Sequence, residues 1–286
     1  MPYVTVNDIK IYYEIHGPSD GPPLICINGW GDAIWSWFLQ INTFKQQYKC
    51  ILFDNRGAGK SSKPDYPYTM EMFVDDAAGL LEALNIPKAH VIGISMGGFI
   101  AQQLAVTYPE KIKSLVLISS HFGGTNHIPI PDDVLARMFA APTETISKDQ
   151  AFAIRRSVAY SPRFLEENKQ LIKQIQVWQE TNPTPLYALA HQTSATYNYG
   201  LNGVENKLSK ITAPTLVICG ENDRIVIPKN SEMIAERIPT SRLVMLKDGP
   251  HRITVEQHEK FNGVVMDFLD DVEKGTFRLE SEKIIV

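Results

Sequence analysis

Six short apolar runs, each closed by turn residues, constrain this chain more than any other feature: residues 24–27, 50–53, 90–94, 115–118, 216–219 and 243–246. None alternates polar with apolar residues. A strand with one solvated face would alternate, so runs this continuous belong to strands buried on both faces. Helical patterns lie between them at 68–84, 98–108, 230–238 and 255–272; the second puts Ile100, Leu104 and Ala105 on one stripe. A strand–helix rhythm of this kind predicts an α/β doubly wound, mostly parallel central sheet flanked by helices. Upstream, residues 4–6 and 9–15 do alternate, around Asn7-Asp8, and predict a hairpin.

One interval breaks the rhythm. Residues 119–211 contain no strand pattern but several helix-like stretches, such as 148–160 and 162–180, with Pro129, Pro131, Pro142, Pro162, Pro183 and Pro185 as punctuation. The expected organisation is a core in two parts, 1–120 and 211–286, interrupted by a helical segment over 121–210. Residues 274–286 follow the last helix and receive no assignment. The 286 residues, 44% apolar and 21% charged, supply enough apolar surface for such a core and exclude a disordered or collagen-like chain. A net charge of −4 without a dense Lys/Arg run gives no attraction for nucleic acid or anionic membrane. Cys26, Cys50 and Cys219 sit in apolar runs, odd in number and without metal-like spacing, so they read as small buried hydrophobes. No signal-peptide pattern or membrane-length window is visible, and a cytoplasmic location is expected.

The strongest local signal is His90-Val-Ile-Gly93-Ile-Ser95-Met-Gly97-Gly98. It contains G-x-S-x-G with an apolar strand before it and a helix after it, the setting of a nucleophile elbow. A serine on that turn is lifted out of the sheet above a helix N-terminus, whose free N–H groups face any oxyanion that forms. Its hydroxyl needs a base within reach. Of seven histidines, His251 follows the last apolar run on a loop leading into a helix. His16, His90 and His258 fall in hairpin, strand and helix contexts, while His121, His127 and His191 belong to the helical segment as possible substrate contacts. The orienting acid should follow another strand, and Cys219-Gly-Glu221-Asn-Asp223 offers two carboxylates in one turn.

With Asn28-Gly29-Trp30-Gly31, Asp54-Asn-Arg56-Gly57-Ala-Gly59-Lys-Ser61, Gly93-Ile-Ser95-Met-Gly97, Gly220-Glu-Asn-Asp223 and Gly249-Pro-His251, the chain resembles the α/β-hydrolase superfamily over nearly its whole length. The nearest likeness is to the esterase, enol-lactonase, cofactor-free haloperoxidase and C–C hydrolase branches. The resemblance implies an α/β-hydrolase fold with a helical cap over the site, and a triad in the order Ser95, Asp223, His251. It implies oxyanion-hole N–H groups from Trp30 and Met96, and a loop-fixing role for Asp54, Arg56 and Ser61. Asn28 stands where many members carry His, which leaves open whether its side chain buttresses the loop or assists the oxyanion. Ile94 stands where many C–C hydrolases carry Asn, which weakens that branch.

Together these features predict a serine hydrolase acting on a small or medium uncharged carboxylic ester or lactone. The rivals are C–C hydrolysis or perhydrolysis on the same triad, and a small-molecule receptor. No Walker-type loop or ligand cluster is present, so no metal and no organic cofactor is expected. Asn28, Trp35, Phe122, Met138, Trp178, His191 and Tyr197 are the expected pocket residues. No cation stands out as a carboxylate anchor, with Arg155, Arg156 and Arg224 as the nearest candidates.

Overall fold

The computed structural model describes residues 2–279 and 284–286. Nine strands form one sheet among them: β1 Tyr3–Val6, β2 Ile9–His16, β3 Pro23–Ile27, β4 Lys49–Phe53, β5 Ala89–Ile94, β6 Ile112–Ile118, β7 Thr215–Gly220, β8 Ser241–Leu246 and β9 Ile284–Ile285. Their order across the sheet is β1-β2-β4-β3-β5-β6-β7-β8-β9. β1, β2 and β4 pair antiparallel, and every later pairing is parallel. The Asn7-Asp8 turn takes positive φ at both residues, 47° and 62°, the twist that a two-residue hairpin needs. The unassigned tail supplies β9, which extends the sheet beside β8; residues 280–283 lie outside the described residues.

The continuous apolar runs are continuous because both faces of the sheet are covered. Ile25, Ile27, Ile51, Phe53, Val91, Leu115 and Leu117 point to one core, shared with helices Met70–Ala83 and Met96–Thr107. Their neighbours Leu24, Cys26, Cys50, Leu52, Ile92, Val116 and Ile118 point to a second core, shared with helix His258–Glu273. Each fully buried aliphatic here contributes roughly 1.5–3 kcal/mol of transfer free energy. All three cysteines are buried, and none forms a disulfide among the described residues.

Between β6 and β7 the described residues contain no strand. Helices Asp132–Met138, Lys148–Ala159, Pro162–Glu167, Lys169–Thr181 and Leu186–Asn202 fill the interval. Two expected helices are divided. The stretch 162–180 breaks at Asn168, whose amide donates to the Phe164 carbonyl at 3.1 Å. The stretch 255–272 breaks at Gln257, whose amide reaches the Lys247 carbonyl at 2.9 Å, giving a short helix Ile253–Glu256 ahead of the long one. Helix Leu186–Asn202 is fastened to the sheet-end loops by Gln192, fully buried, which accepts from the Gly31 N–H and donates to the Arg56 carbonyl, both at 2.9 Å. No helix among the described residues is long and apolar enough to cross a membrane.

Candidate active site

Parallel strands deliver their C-terminal ends to one edge of the sheet, and ligands bind there in open α/β sheets. The loops after β3, β5, β7 and β8 carry Trp30, Ser95, Asp223 and His251 respectively. Ser95 holds φ 54°, ψ −117°, a strained conformation for a residue with a Cβ. Its neighbours show why only glycine flanks it at two positions. A Cβ at Gly93 would lie 2.2 Å from the Gly97 carbonyl oxygen, and one at Gly97 would lie 2.2 Å from the Ile27 carbonyl oxygen. The Ser95 N–H donates to Ile118 on β6 at 2.9 Å, which pins the turn to the adjacent strand.

His251 is buried, and its Nδ1 lies 2.8 Å from Oδ2 of Asp223. The other oxygen of Asp223 accepts the Ile225 and Val226 N–H groups, each at 2.9 Å. A carboxylate with these partners holds the imidazole with its proton on Nδ1 and leaves Nε2 as the basic nitrogen. Glu221 does not reach His251; it faces the Asp248 N–H at 3.4 Å. Ser95 and His251 open on one cavity, and no hydrogen bond joins them among the described residues.

Trp30 and Met96 line the same cavity. Met96 opens helix Met96–Thr107, so its N–H has no partner within the helix. Among the described residues, neither the Trp30 nor the Met96 N–H has a protein acceptor. The Trp30 loop is held from three sides. The Trp30 indole donates to Thr193 at 3.0 Å, the Gly31 N–H to Gln192, and Asn55 to the Asn28 carbonyl at 3.0 Å. Asn28 itself is fully buried, donating to the Phe53 carbonyl at 2.6 Å and accepting from Ser36 at 2.8 Å. Both ends of its side chain are spent on the loop, which makes it a buttress and removes it from the expected pocket residues. Asp54 accepts the Ile34 and Lys60 N–H groups at 2.7 Å, and Arg56 forms a buried pair with Asp76 at 2.6 Å.

The cavity encloses about 480 Å³. Of the pocket candidates, Met138 and Tyr197 line it; four others do not. Trp35 and Trp178 stack on each other with centroids 6.2 Å apart, filling the joint between the core and the helical segment. Phe122 is fully buried beneath the Arg237 guanidinium, 4.7 Å from its ring. His191 pairs with Asp65 at 3.0 Å and packs on Tyr68. Each of these side chains finds its partner across an interface between distant segments, which residue type alone does not reveal.

The walls also hold polar groups, among them two of the histidines named from the sequence as possible substrate contacts and two of the arginines named as the nearest anchor candidates. His121 and His127 stack with centroids 4.6 Å apart, and His121 accepts the Gly123 N–H at Nδ1, 3.1 Å away. Burial, then the neighbouring His127, pulls the His121 pKa down to about 3, so it is neutral at ordinary pH and carries its proton on Nε2. Arg155, Arg156 and Arg252 are also in the wall. Arg252 is paired with Asp32 at 2.5 Å. Arg224 is not in the wall and pairs with Asp133 at 3.6 Å.

Residues 22–256 match the family described as alpha/beta hydrolase fold. The 3-oxoadipate enol-lactonase 2 of Acinetobacter baylyi is 28% identical over 265 residues, covering 92% of this chain and 94% of that protein. The proline iminopeptidase PfmaB of Pestalotiopsis fici is 29% identical over 286 aligned positions, covering 91% and 95%. A hydrolase of known structure from Pseudomonas aeruginosa superposes with a TM-score of 0.81 at 27% identity, covering 93% and 97%. The enol-lactonase from Burkholderia xenovorans does so with 0.81 at 24%, covering 94% and 100%, a likeness of fold. A mostly parallel sheet with a serine elbow after its central strand, and a family match over most of its length, make this chain a member of the α/β-hydrolase fold family.

Proposed function

We propose that the chain is a serine hydrolase that cleaves a small-to-medium carboxylic ester or lactone through an acyl-enzyme. The observation that carries this reading is the meeting of a strained Ser95 elbow and a carboxylate-held His251 on one cavity. Ser95 Oγ attacks the carbonyl carbon as His251 Nε2 takes its proton, and the carbonyl oxygen becomes an oxyanion beside the Trp30 and Met96 N–H groups. Asp223 stabilises the imidazolium. His251 then protonates the leaving alkoxide and the C–O bond breaks. Water repeats the sequence on the acyl-enzyme, with His251 as base, and releases the acid.

The helical segment over 121–210 serves as the cap. Met138, Phe139, Tyr197 and Leu201 from that segment complete the cavity wall above Ser95. Relatives carry the names enol-lactonase and proline iminopeptidase, so we take the bond cleaved to be a matter of the cavity and not of the triad. The direct test is intact-protein mass after fluorophosphonate treatment, with hydrolysis of a p-nitrophenyl ester series. One adduct and measurable turnover, both lost in Ser95→Ala, are expected. Unaltered turnover in Ser95→Ala would end the proposal, as would absence of both adduct and turnover in the wild type.

A further inference from the structure

Arg156 is only 7% exposed, lies in the cavity wall, and has no ion-pair partner among the described residues. Its Nη2 donates to the neutral amide oxygen of Gln179, and its Nε is buried without a hydrogen-bond acceptor. The rings of Phe152 and Tyr160 lie 4.7 and 5.9 Å from the guanidinium carbon; they tolerate a cation but supply no counter-charge. The carboxylate of the inner wall, Asp32, is taken by Arg252. Asp132 also borders the cavity but is exposed. Arg155, next in the wall, spends one donor on the Ala140 carbonyl at 2.5 Å and has no ion-pair partner either. Asp32 acts on Arg156 only through space, and a buried guanidinium held in one orientation without a direct ion pair is costly to the free protein, a cost that is recovered when an anion arrives.

From this we infer that Arg156, with Arg155 beside it, anchors a carboxylate, and that the substrate of the Ser95 site carries a free carboxylate away from its scissile ester or lactone bond. The inference deepens the hydrolase reading above and rests on it. A planar carboxylate matches the two-donor edge of a guanidinium, and burial makes the pairing selective. The rest of the wall, with Met138, Leu135, Ile225 and Val226, suits a short apolar linker between the carboxylate and the reacting carbonyl. Such a substrate is a half-ester of a dicarboxylic acid, or a lactone bearing an acid side chain. This replaces the uncharged substrate expected from sequence, which assumed an apolar wall.

The test compares monomethyl adipate (carboxylate in the acyl part) with methyl hexanoate, and butyryl glycolate (carboxylate in the alcohol part) with ethyl butyrate, by pH-stat. At least one acidic ester should exceed its neutral counterpart in kcat/KM by tenfold or more. In Arg156→Gln that ratio should fall about tenfold or further, toward 1, and Arg156→Lys should restore part of it. Adipate dianion should slow fluorophosphonate labelling of Ser95 in the wild type. Acidic esters no better than neutral ones, or a ratio unmoved in a folded Arg156→Gln, would overturn the anchor. So would inorganic phosphate protecting Ser95 as well as adipate does. If Arg156→Gln fails to fold, the wild-type ratio and the adipate protection decide the matter. Labelling of Ser95 and turnover of the neutral esters report separately on the hydrolase reading, so either proposal can fail alone.

Discussion

Replacing Asp223 by Asn exchanges one oxygen for an NH2 and changes almost no volume, yet the structure dictates which way the new amide must sit. Oδ1 of Asp223 accepts two backbone N–H groups, from Ile225 and Val226, at 2.9 Å each. An amide NH2 placed there would face two donors in a buried turn, so the Asn oxygen must occupy that position. Its NH2 then points at His251 Nδ1, at the 2.8 Å contact now made by Oδ2. The imidazole answers by carrying its proton on Nε2 and accepting at Nδ1, which leaves no basic nitrogen for Ser95. A triad locked in the wrong tautomer loses about 10,000-fold in kcat, or about 5 kcal/mol of transition-state stabilisation. Ser95→Ala should lose more, about a million-fold, because the nucleophile itself is gone. The assay is kcat on p-nitrophenyl butyrate from pH 6 to 10, alongside a thermal melt to show that Asp223→Asn remains folded. A loss below about tenfold at neutral pH in a folded variant would refute the orienting role of Asp223 and the tautomer argument with it.

Two further outcomes follow from packing and burial. Gly97→Ala puts a Cβ 2.2 Å from the Ile27 carbonyl oxygen, and the overpacking should cost about 1–3 kcal/mol and lower the melting temperature measurably; wild-type stability and activity together would show the elbow to be looser than drawn. His90 is fully buried between Ser114 at 2.7 Å and Glu273 at 2.6 Å, and burial pulls its pKa down to about 4, against the opposing pull of Glu273. Between pH 6.5 and 4 the unfolded chain binds the proton that the folded chain refuses, so stability falls as pH drops, by about 3 kcal/mol from this group. Urea midpoints measured across that range should flatten in His90→Gln, although His121 adds a loss of the same sign; an unchanged slope would contradict the assignment.

Local pattern made much of the fold legible. Alternate residues of each apolar run face different cores, as Ile25 and Cys26 do, and both cores are apolar, so continuity of the run announces a doubly covered strand before any contact is known. The elbow is legible for a similar reason: Gly93 and Gly97 mark places where backbone meets backbone too closely for a Cβ, a requirement written into residue type. The choice between Glu221 and Asp223 was less so. Both sit in one turn after β7, and only the path of that turn carries Asp223, not Glu221, to His251.

The sequence by itself therefore determined the strand–helix alternation of the core, the serine turn and the loops that carry the remaining triad candidates, because those depend on backbone rules acting over a few residues, whereas β9 and the breaks at Asn168 and Gln257 were not read from it. Only the tertiary structure decided what the cavity is made of. Trp35 and Trp178 are 143 positions apart and spend their surfaces on each other, while Asn28 is consumed by Phe53 and Ser36. The proposed role of Arg156 rests on the placement of the two carboxylates in the wall, Asp32 being paired with Arg252 and Asp132 being exposed. The physical reason is common to all of them: whether a side chain packs, braces or faces a ligand is settled by partners outside its own strand or helix, and those partners are fixed only when the loops and the helical segment pack together.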